Sequence, residues 1–149
     1  MTKLASLDSD YDRDFYAWAN EQAALLRAGK LAQADLEHIA EEIESMGKTE
    51  KRELVSRLTV LLLHLLKWRF QPEFRSRSWR LSVQEQRLQV ASHLADNPSM
   101  KALLAAAIAD SYRLAVIGAQ RETELGAETF PMSCPWSFEQ MMNDDFWPD

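Results

Sequence analysis

Histidine and glutamate side chains at helical spacing are the first candidates for chemistry in this sequence. His38 and Glu42 are four residues apart, Glu41 lies beside them, and His64 follows within a leucine-rich stretch. Two imidazoles and a carboxylate are enough to hold a divalent metal ion between helices of a bundle. One hypothesis is therefore a metal-dependent enzyme that uses Glu42 and His64, together with His38 or Glu41.

The same residues also allow a purely structural interpretation, in which a histidine is hydrogen-bonded to a neighbouring carboxylate such as Glu42. Di-metal bundles repeat a Glu-x-x-His pattern on two helices, and this pattern does not occur in the chain. Cys134 has no histidine near it in sequence, so we expect an inert thiol. We therefore assign no catalytic residue and expect no cofactor, and we keep a divalent metal as the minor hypothesis.

Arginine and aromatic residues alternate in the run K-W-R-F-Q-P-E-F-R-S-R-S-W-R, which extends from Lys67 to Arg80. The run holds five bases and one acid, a net charge of +4. Guanidinium groups can bind phosphate through two parallel hydrogen bonds, and aromatic rings can stack on unpaired bases. The candidate binding residues are Lys67, Trp68, Arg69, Arg75, Arg77, Trp79, Arg80 and, further along the chain, Arg87.

Three interpretations of this basic-aromatic segment remain open. It can be a junction between two helices, with tryptophans in the core and arginines paired to acids. It can bind an acidic protein partner, or it can bind single-stranded nucleic acid. The net charge of −6 for the whole chain argues against a general nucleic-acid coat. We predict a non-enzymatic binding or interaction module, with nucleic-acid binding through the same segment as the alternative.

The C-terminal residues differ in character from the rest of the chain. The last thirteen carry a net charge of −4, and Phe146 and Trp147 are too apolar to stay in water. We expect these two side chains to dock on the bundle or on a partner, and a homo-oligomer formed through them is a further possibility. The opposite charges suggest the hypothesis that the acidic tail covers the basic-aromatic segment until a partner displaces it.

Hydrophobic periodicity predicts the helices that would position these residues. Gly47 is expected to end one helix and Thr49 to begin the next, so that the two pack antiparallel. The stretch Thr49–Trp68 is apolar on nearly every side in its second half, which is typical of a central, buried helix. The predicted helices cover residues 12–28, 35–46 and 49–68, one that begins at Ser78 or Ser82, 97–126, and a short one at 138–143.

The absence of strand-like alternation favours an all-α fold. We predict a single helical-bundle domain over residues 1–149, with about five helices plus a short C-terminal helix and with 130–149 as a docking tail. Residues 1–14 show no signal peptide, and uninterrupted apolar runs such as Val60–Leu63 are far shorter than the roughly 20 residues of a membrane span. We expect a cytoplasmic protein that does not contact membranes.

Several motifs together resemble the DUF29 family of bacterial proteins. The resemblance covers almost the whole chain and implies a compact all-α domain. It implies no activity, because the family is named for lacking an assigned one, so it carries over no catalytic residues. The matching motifs are Y-D-R-D-F-Y-A-W (11–18), Q-A-A-L-L-R-A-G (22–29), E-E-I-E-S-M-G-K-T-E-K-R (41–52), S-R-L-T-V-L-L-L-H-L-L-K-W (56–68), Q-P-E-F-R-S-R-S-W (71–79), Q-R (86–87) and D-D-F-W-P-D (144–149).

Overall fold

A computed structural model describes residues 10–149, and this part of the chain contains helices and turns but no strand. The prediction of an all-α bundle is confirmed. The N-terminal residues before Asp10, which include most of the stretch examined for a signal peptide, lie outside the described residues. The α-helices are α1 (Phe15–Arg27), α2 (Leu36–Phe70), α3 (Arg77–Asp96), α4 (Leu104–Glu122) and α5 (Phe138–Met142), and 3₁₀ segments occupy Leu31–Gln33, Pro72–Phe74, Pro98–Leu103 and Ala127–Thr129.

Helix α2 is continuous where two separate helices were predicted, so the predicted break at Gly47 was wrong. Thr49 does not cap a new helix, because its hydroxyl donates a hydrogen bond of 3.0 Å to the carbonyl of Ser45 one turn earlier. A glycine inside a helix costs only about 1 kcal/mol relative to alanine, and the neighbouring residues are good helix formers. Gly29 does end α1 as predicted, and its φ of 73° is in the left-handed region.

The start of α3 also differs from the prediction. Ser76, not Ser78 or Ser82, is the N-cap, and its hydroxyl oxygen accepts a hydrogen bond of 3.2 Å from the amide of Trp79. The short last helix was predicted correctly, because its capping box is a local signal. In this box the amide of Gln140 donates to the hydroxyl of Ser137, and the amide of Ser137 donates to the side-chain carbonyl of Gln140.

The predicted helix over 97–126 is divided in the structure. Pro98–Leu103 forms a 3₁₀ segment, and α4 then ends at Glu122 rather than near Gly126. Asn97 does not cap this element through its side chain, which instead donates a hydrogen bond of 3.0 Å to the carbonyl of His93 at the end of α3. One long helix was predicted here because proline at the first position is compatible with both an α-helix and a 3₁₀-helix and does not distinguish them.

The chain divides into two compact units that meet in sequence between Thr49 and Glu50. The prediction of one domain over residues 1–149 stays a prediction. In the first unit Trp18 is buried, whereas apolar side chains at helical spacing on the N-terminal part of α2 are largely exposed. Leu36, Ile43 and Met46 are exposed by 53%, 63% and 68%.

The second unit contains the leucine-rich half of α2 as its centre, which confirms the prediction of a central helix. Burying one such leucine contributes on the order of 1.5–3 kcal/mol. Helices α3 and α4 and the C-terminal residues supply the other side chains of this core. Its fully or nearly fully buried members include Leu54, Leu58, Leu61, Leu62, Leu65, Leu66, Val83, Val90, Ala107, Ala115, Ala119, Phe130 and Met141.

One segment of the described chain, Pro98–Glu122, is long and apolar enough to cross a membrane by length and composition. Core helices of water-soluble proteins meet the same criterion, so the criterion alone decides nothing about location. In this structure the segment is part of the second unit, and its residues Ala107, Ser111, Ala115 and Ala119 are buried there.

A substitution at Gly47 can distinguish a continuous α2 from two helices divided at that residue. Gly47 has no left-handed φ, and a Cβ added there meets no atom within 4 Å. Gly47→Ala should therefore stabilise the chain against urea by about 0.5–1 kcal/mol. Gly29→Ala, in the same unit, should destabilise it by about 1 kcal/mol, because only Gly29 needs the left-handed conformation. Loss of stability in Gly47→Ala would contradict the continuous helix.

Candidate functional site

The candidate site is an arginine-tryptophan cluster, which we define as Trp68, Arg75, Arg80, Arg87 and Trp147. Trp68 lies in the last turn of α2, and the short 3₁₀ segment after it leads to Arg75. Arg80 and Arg87 are two helical turns apart on α3, so their side chains share one face. The C-terminal segment brings Trp147 to this face. The cluster therefore joins three separate parts of the second unit.

Two indole rings form the centre of the cluster. The ring centroids of Trp68 and Trp147 are 4.6 Å apart. The guanidinium carbon of Arg80 lies 5.2 Å from the Trp68 ring and 4.8 Å from the Trp147 ring. Arg87 lies 5.2 Å from the Trp147 ring, and Arg75 lies 5.0 Å from the Trp68 ring. Each contact of a cation with an aromatic face contributes about 0.5–2 kcal/mol, depending on its exposure.

The arginines also bind the main chain of the C-terminal segment. Arg87 donates from Nε to the carbonyl of Met141 at 2.7 Å and from Nη2 to the carbonyl of Phe146 at 2.8 Å. Arg75 donates from Nη2 to the carbonyl of Pro148 at 3.3 Å. Three backbone carbonyls between residues 141 and 148 are thus hydrogen-bonded by two arginines.

Arg87 has an unusual electrostatic environment. Its side chain is almost fully buried, and its Nη1 has no hydrogen-bond partner among the described residues. Burial lowers the pKa of Arg87, and the nearby charge of Asp144 opposes that effect. An arginine stays protonated in proteins, so a full positive charge is held here by two carbonyls and an indole face. Removing those partners would leave a buried charge unsatisfied.

The acidic side chains of the tail play a smaller part than the charge pattern suggested. No ion pair among residues 10–149 joins Asp144, Asp145 or Asp149 to an arginine of the cluster. The tail docks on the bundle, as predicted for Trp147, but through its indole ring and its carbonyls.

The remaining residues of the basic-aromatic segment divide into two groups. Lys67 is buried, its ammonium lies 2.8 Å from a carboxylate oxygen of Glu122 on α4, and it lies over the ring of Trp79 at 4.6 Å. Arg69 and Arg77 are exposed to solvent. The segment is therefore partly a helix junction, as one interpretation of the sequence expected.

Two residues of the predicted metal site, His38 and Glu42, have other partners within the first unit. His38 Nδ1 lies 2.7 Å from a carboxylate oxygen of Asp35, and its ring stacks on Tyr11 with centroids 3.9 Å apart. The Tyr11 hydroxyl donates a hydrogen bond to Glu42. This bond, burial and the charge of Glu42 raise the pKa of Tyr11 to about 12.

His64 does not lie on an antiparallel neighbour of His38, because both belong to α2. They are separated by about seven helical turns. His64 Nδ1 lies 2.8 Å from the carbonyl of Val60, and burial lowers the pKa of His64. Glu41 is exposed. The helix boundary on which the proposed metal arrangement depended was thus wrong.

Asp35 organises the polar contacts of the first unit. Its carboxylate accepts a hydrogen bond of 3.0 Å from the indole nitrogen of Trp18, and its amide donates one of 2.7 Å to the side-chain carbonyl of Gln22. Burial alone would raise the pKa of Asp35. The hydrogen bonds from His38 and Trp18 outweigh burial and hold that pKa below its ordinary value.

The fold and the cluster define a small all-α protein whose arginine-tryptophan site holds the protein's own C-terminal segment. The chain belongs to the family described as Domain of unknown function DUF29, whose family model matches residues 11–147. The chain matches no curated protein and no solved structure.

Sequence analysis missed one group of potential ligands. Glu50 and Glu53 on α2 lie beside His93 on α3, all within the second unit. The available signal was a pair of ionisable residues three apart on each of two helices, Glu50 with Glu53 and His93 with Asp96. The predicted break at Gly47 favoured His38 and Glu42 instead, because it placed them on a helix antiparallel to that of His64.

The lowered pKa of Asp35 predicts a pH dependence of stability. Because the pKa in the folded chain is below the unfolded value, its contribution is present above the unfolded pKa, about 4. It is lost as the pH falls through the folded value. The difference in unfolding free energy between wild type and Asp35→Asn should be largest at pH 5–7 and shrink toward about pH 2. A difference that grows on acidification would contradict the assignment.

The cluster predicts energetic coupling between Arg87 and Trp147. In a double-mutant cycle on unfolding free energy, Arg87→Ala and Trp147→Ala should couple by about 0.5–3 kcal/mol, since either change weakens the tail contact. The matched control is Arg113→Ala, which removes an exposed arginine paired with Asp110. That variant should be additive with Trp147→Ala within about 0.5 kcal/mol. Equal coupling in both cycles would argue against a specific contact.

Proposed function

We propose that this protein is a non-enzymatic binding module that recognises a short peptide segment of a partner protein at the arginine-tryptophan cluster. The observation that carries this proposal is the docking of residues 141–148 of the chain at that cluster. All three hydrogen bonds from Arg75 and Arg87 to this segment end on backbone carbonyls. Any peptide offers such carbonyls, so a segment from another protein can replace the tail without matching every side chain.

The cluster also indicates which peptides would fit. The contact between the Trp68 and Trp147 rings calls for a large aromatic anchor, and the guanidinium of Arg80 favours a ring with an electron-rich face, which tryptophan provides best. Exposed Arg69 and Arg77 lie near the cluster in sequence and favour acidic flanking residues by long-range attraction. The partner segment is thus an acidic peptide with a tryptophan.

Charge favours a peptide over single-stranded nucleic acid, the alternative ligand for the same residues. Nucleic-acid binding is driven largely by lysines and arginines that neutralise phosphates. In this chain Lys67 is paired with Glu122, and two cluster arginines are engaged with carbonyls. The net charge of −6 repels a nucleic acid, with one charge per phosphate, more strongly than a short peptide with a few acidic residues.

The state of Cys134 supports a non-enzymatic role. Burial raises the pKa of the Cys134 thiol, whose hydrogen is directed at the carbonyl of Trp136 at 3.4 Å. A thiol is a nucleophile only as the thiolate, so this cysteine is held in its unreactive form. An unpaired cysteine is also compatible with the reducing cytoplasm, the location that we propose.

The tail would act as an intramolecular competitor for the partner peptide. A tethered segment reaches an effective concentration in the millimolar range for short linkers. A free peptide with the same contacts must therefore exceed that concentration or make additional contacts. The partner peptide therefore binds only above a threshold concentration. A mutation that weakens docking of the tail should lower that concentration.

The test uses full-length protein and a fluorescent peptide with the sequence of residues 141–149. Trp147→Ala removes the anchor of the tail but leaves α5 and the carbonyl of Met141 in place. We expect this variant to bind the peptide at least about tenfold more tightly than wild type does, as measured by fluorescence anisotropy, because a tethered competitor is weakened.

Two controls make the result specific. A peptide with alanine in place of its tryptophan should lose the binding, and Trp147→Ala combined with Arg87→Ala should lose it too, whereas Trp147→Ala combined with Arg113→Ala should keep it. Absence of peptide binding to Trp147→Ala would contradict the proposal. Tight binding of an oligothymidylate with a steep salt dependence would favour the nucleic-acid alternative instead.

A further inference from the structure

We infer that Glu50, Glu53 and His93 form a binding site for a divalent first-row transition-metal ion. The site lies in the second unit and is separate from the arginine-tryptophan cluster. Glu50 and Glu53 are one turn apart on α2, and His93 is in the last turn of α3. Helix bundles commonly build metal sites in this way, from carboxylates and imidazoles on facing helices.

The distances between the potential ligand atoms suit one ion. One ligand atom from each of the three residues can be chosen so that all lie within 4.8 Å of one another. A carboxylate oxygen of Glu53 is 3.9 Å from His93 Nδ1, whereas the carboxylate of Glu50 lies on the other side of the ring, 3.6 Å from Nε2. Ligand bonds of about 2.0–2.2 Å place neighbouring ligands about 3–4 Å apart. The Glu50 side chain is half-exposed and would rotate toward Nδ1 for one ion to bind all three residues.

The hydrogen bonding of His93 prepares one ring nitrogen for a metal. Its Nε2 lies 2.8 Å from the backbone carbonyl of Glu50, which can only accept a hydrogen bond, so Nε2 carries the proton. In neutral histidine Nδ1 then has the lone pair, and Nδ1 makes no hydrogen bond with the described residues. A backbone carbonyl that fixes the second ring nitrogen is the usual support of a metal-bound histidine.

Burial distinguishes this group from an ordinary acidic surface patch. His93 is only 9% exposed, yet its ring borders an open groove of about 370 Å³. A histidine that is nine-tenths buried, with an unused acceptor nitrogen beside the Glu53 carboxylate, favours a cationic ligand. Asp96, Asn97, Gln89 and Ser92 also line the groove and offer further oxygen atoms, directly or through water.

The donor set selects the class of metal. Carboxylate oxygens alone suit Mg²⁺ and Ca²⁺, whereas an imidazole nitrogen with carboxylates favours ions such as Zn²⁺, Co²⁺ and Mn²⁺. A bound ion would link α2 to α3 and would stabilise the folded chain in proportion to its occupancy. The inference concerns binding and stability and does not depend on the peptide-binding proposal.

The first experiment is calorimetric titration of chelator-treated, full-length protein with Zn²⁺, accompanied by the visible absorption spectrum after addition of Co²⁺. We expect one equivalent of Zn²⁺ per chain and a Co²⁺ spectrum with nitrogen and oxygen ligands. Glu53→Gln and His93→Gln should each weaken Zn²⁺ binding by at least about tenfold, since each removes one metal ligand.

His64→Gln is the matched control, because it removes another histidine of the same unit that is engaged with the Val60 carbonyl. This variant should bind Zn²⁺ as wild type does. If His93→Gln fails to fold by circular dichroism, Glu53→Gln carries the test, since Glu53 is half-exposed and we expect its substitution to leave the fold intact. Zn²⁺ should raise the melting temperature of wild type but not that of Glu53→Gln.

The inference is overturned if Glu53→Gln binds Zn²⁺ as tightly as wild type. It is also overturned if His64→Gln loses binding as His93→Gln does, or if wild type binds less than one equivalent at any accessible concentration. Displacement of Zn²⁺ by an equal concentration of Mg²⁺ would identify a non-specific acidic surface, because Mg²⁺ does not compete for imidazole ligands.

Discussion

The buried guanidinium of Arg87 is the constraint on which the second unit depends. A charge in the protein interior costs several kcal/mol unless polar partners replace its hydration. In this molecule the C-terminal segment supplies those partners, namely the carbonyls of Met141 and Phe146 and the face of Trp147. The tail and α3 therefore need each other. Without the tail Arg87 would have to be solvated again, and without Arg87 two carbonyls of the tail would lose their donors.

This dependence connects the hydrophobic core to the surface. Met141 is fully buried in the same core as the leucines of α2, while its carbonyl accepts from Arg87. One residue thus contributes apolar area on one side and a hydrogen-bond acceptor on the other. Core packing sets where the carbonyl lies, and the carbonyl sets where the guanidinium can be satisfied. The position of Trp147 follows, because the ring must cover the remaining face of the same guanidinium.

Local signals in the sequence predicted local structure well. The leucine spacing from Leu54 to Leu66 identified the central helix, and the Ser137 and Gln140 pair located the last one. The helix end predicted at Gly47 was wrong because glycine is common both after helices and, at modest cost, inside them. Nothing within a few residues of either glycine distinguishes the two cases, although Gly29 ends α1 with a left-handed φ and Gly47 lies inside α2.

Contacts between distant residues could be predicted only in outline. Arg87 and Phe146 are 59 positions apart, and no local pattern specifies which backbone carbonyl a guanidinium will reach. The same holds for His93, which we propose as a ligand because it is buried and because the Glu50 carbonyl on another helix accepts from its Nε2. Ionisable spacing alone pointed equally to His38, which proved to be engaged with Asp35.

The charge pattern correctly indicated that two segments of the chain lie together, but it did not indicate which groups make the contacts. The basic-aromatic segment and the acidic tail do meet, but the contacts are made by an indole ring and carbonyls, while Asp144, Asp145 and Asp149 stay exposed. Carbonyls and rings attract a guanidinium without neutralising it, so the cluster keeps its positive charge after the tail has docked. The exposed acids are then free to act over longer distances, where they favour docking of the tail and oppose the approach of another acidic segment. Specificity would then depend on short-range fit to the rings, and the charges would mainly set the rate of exchange.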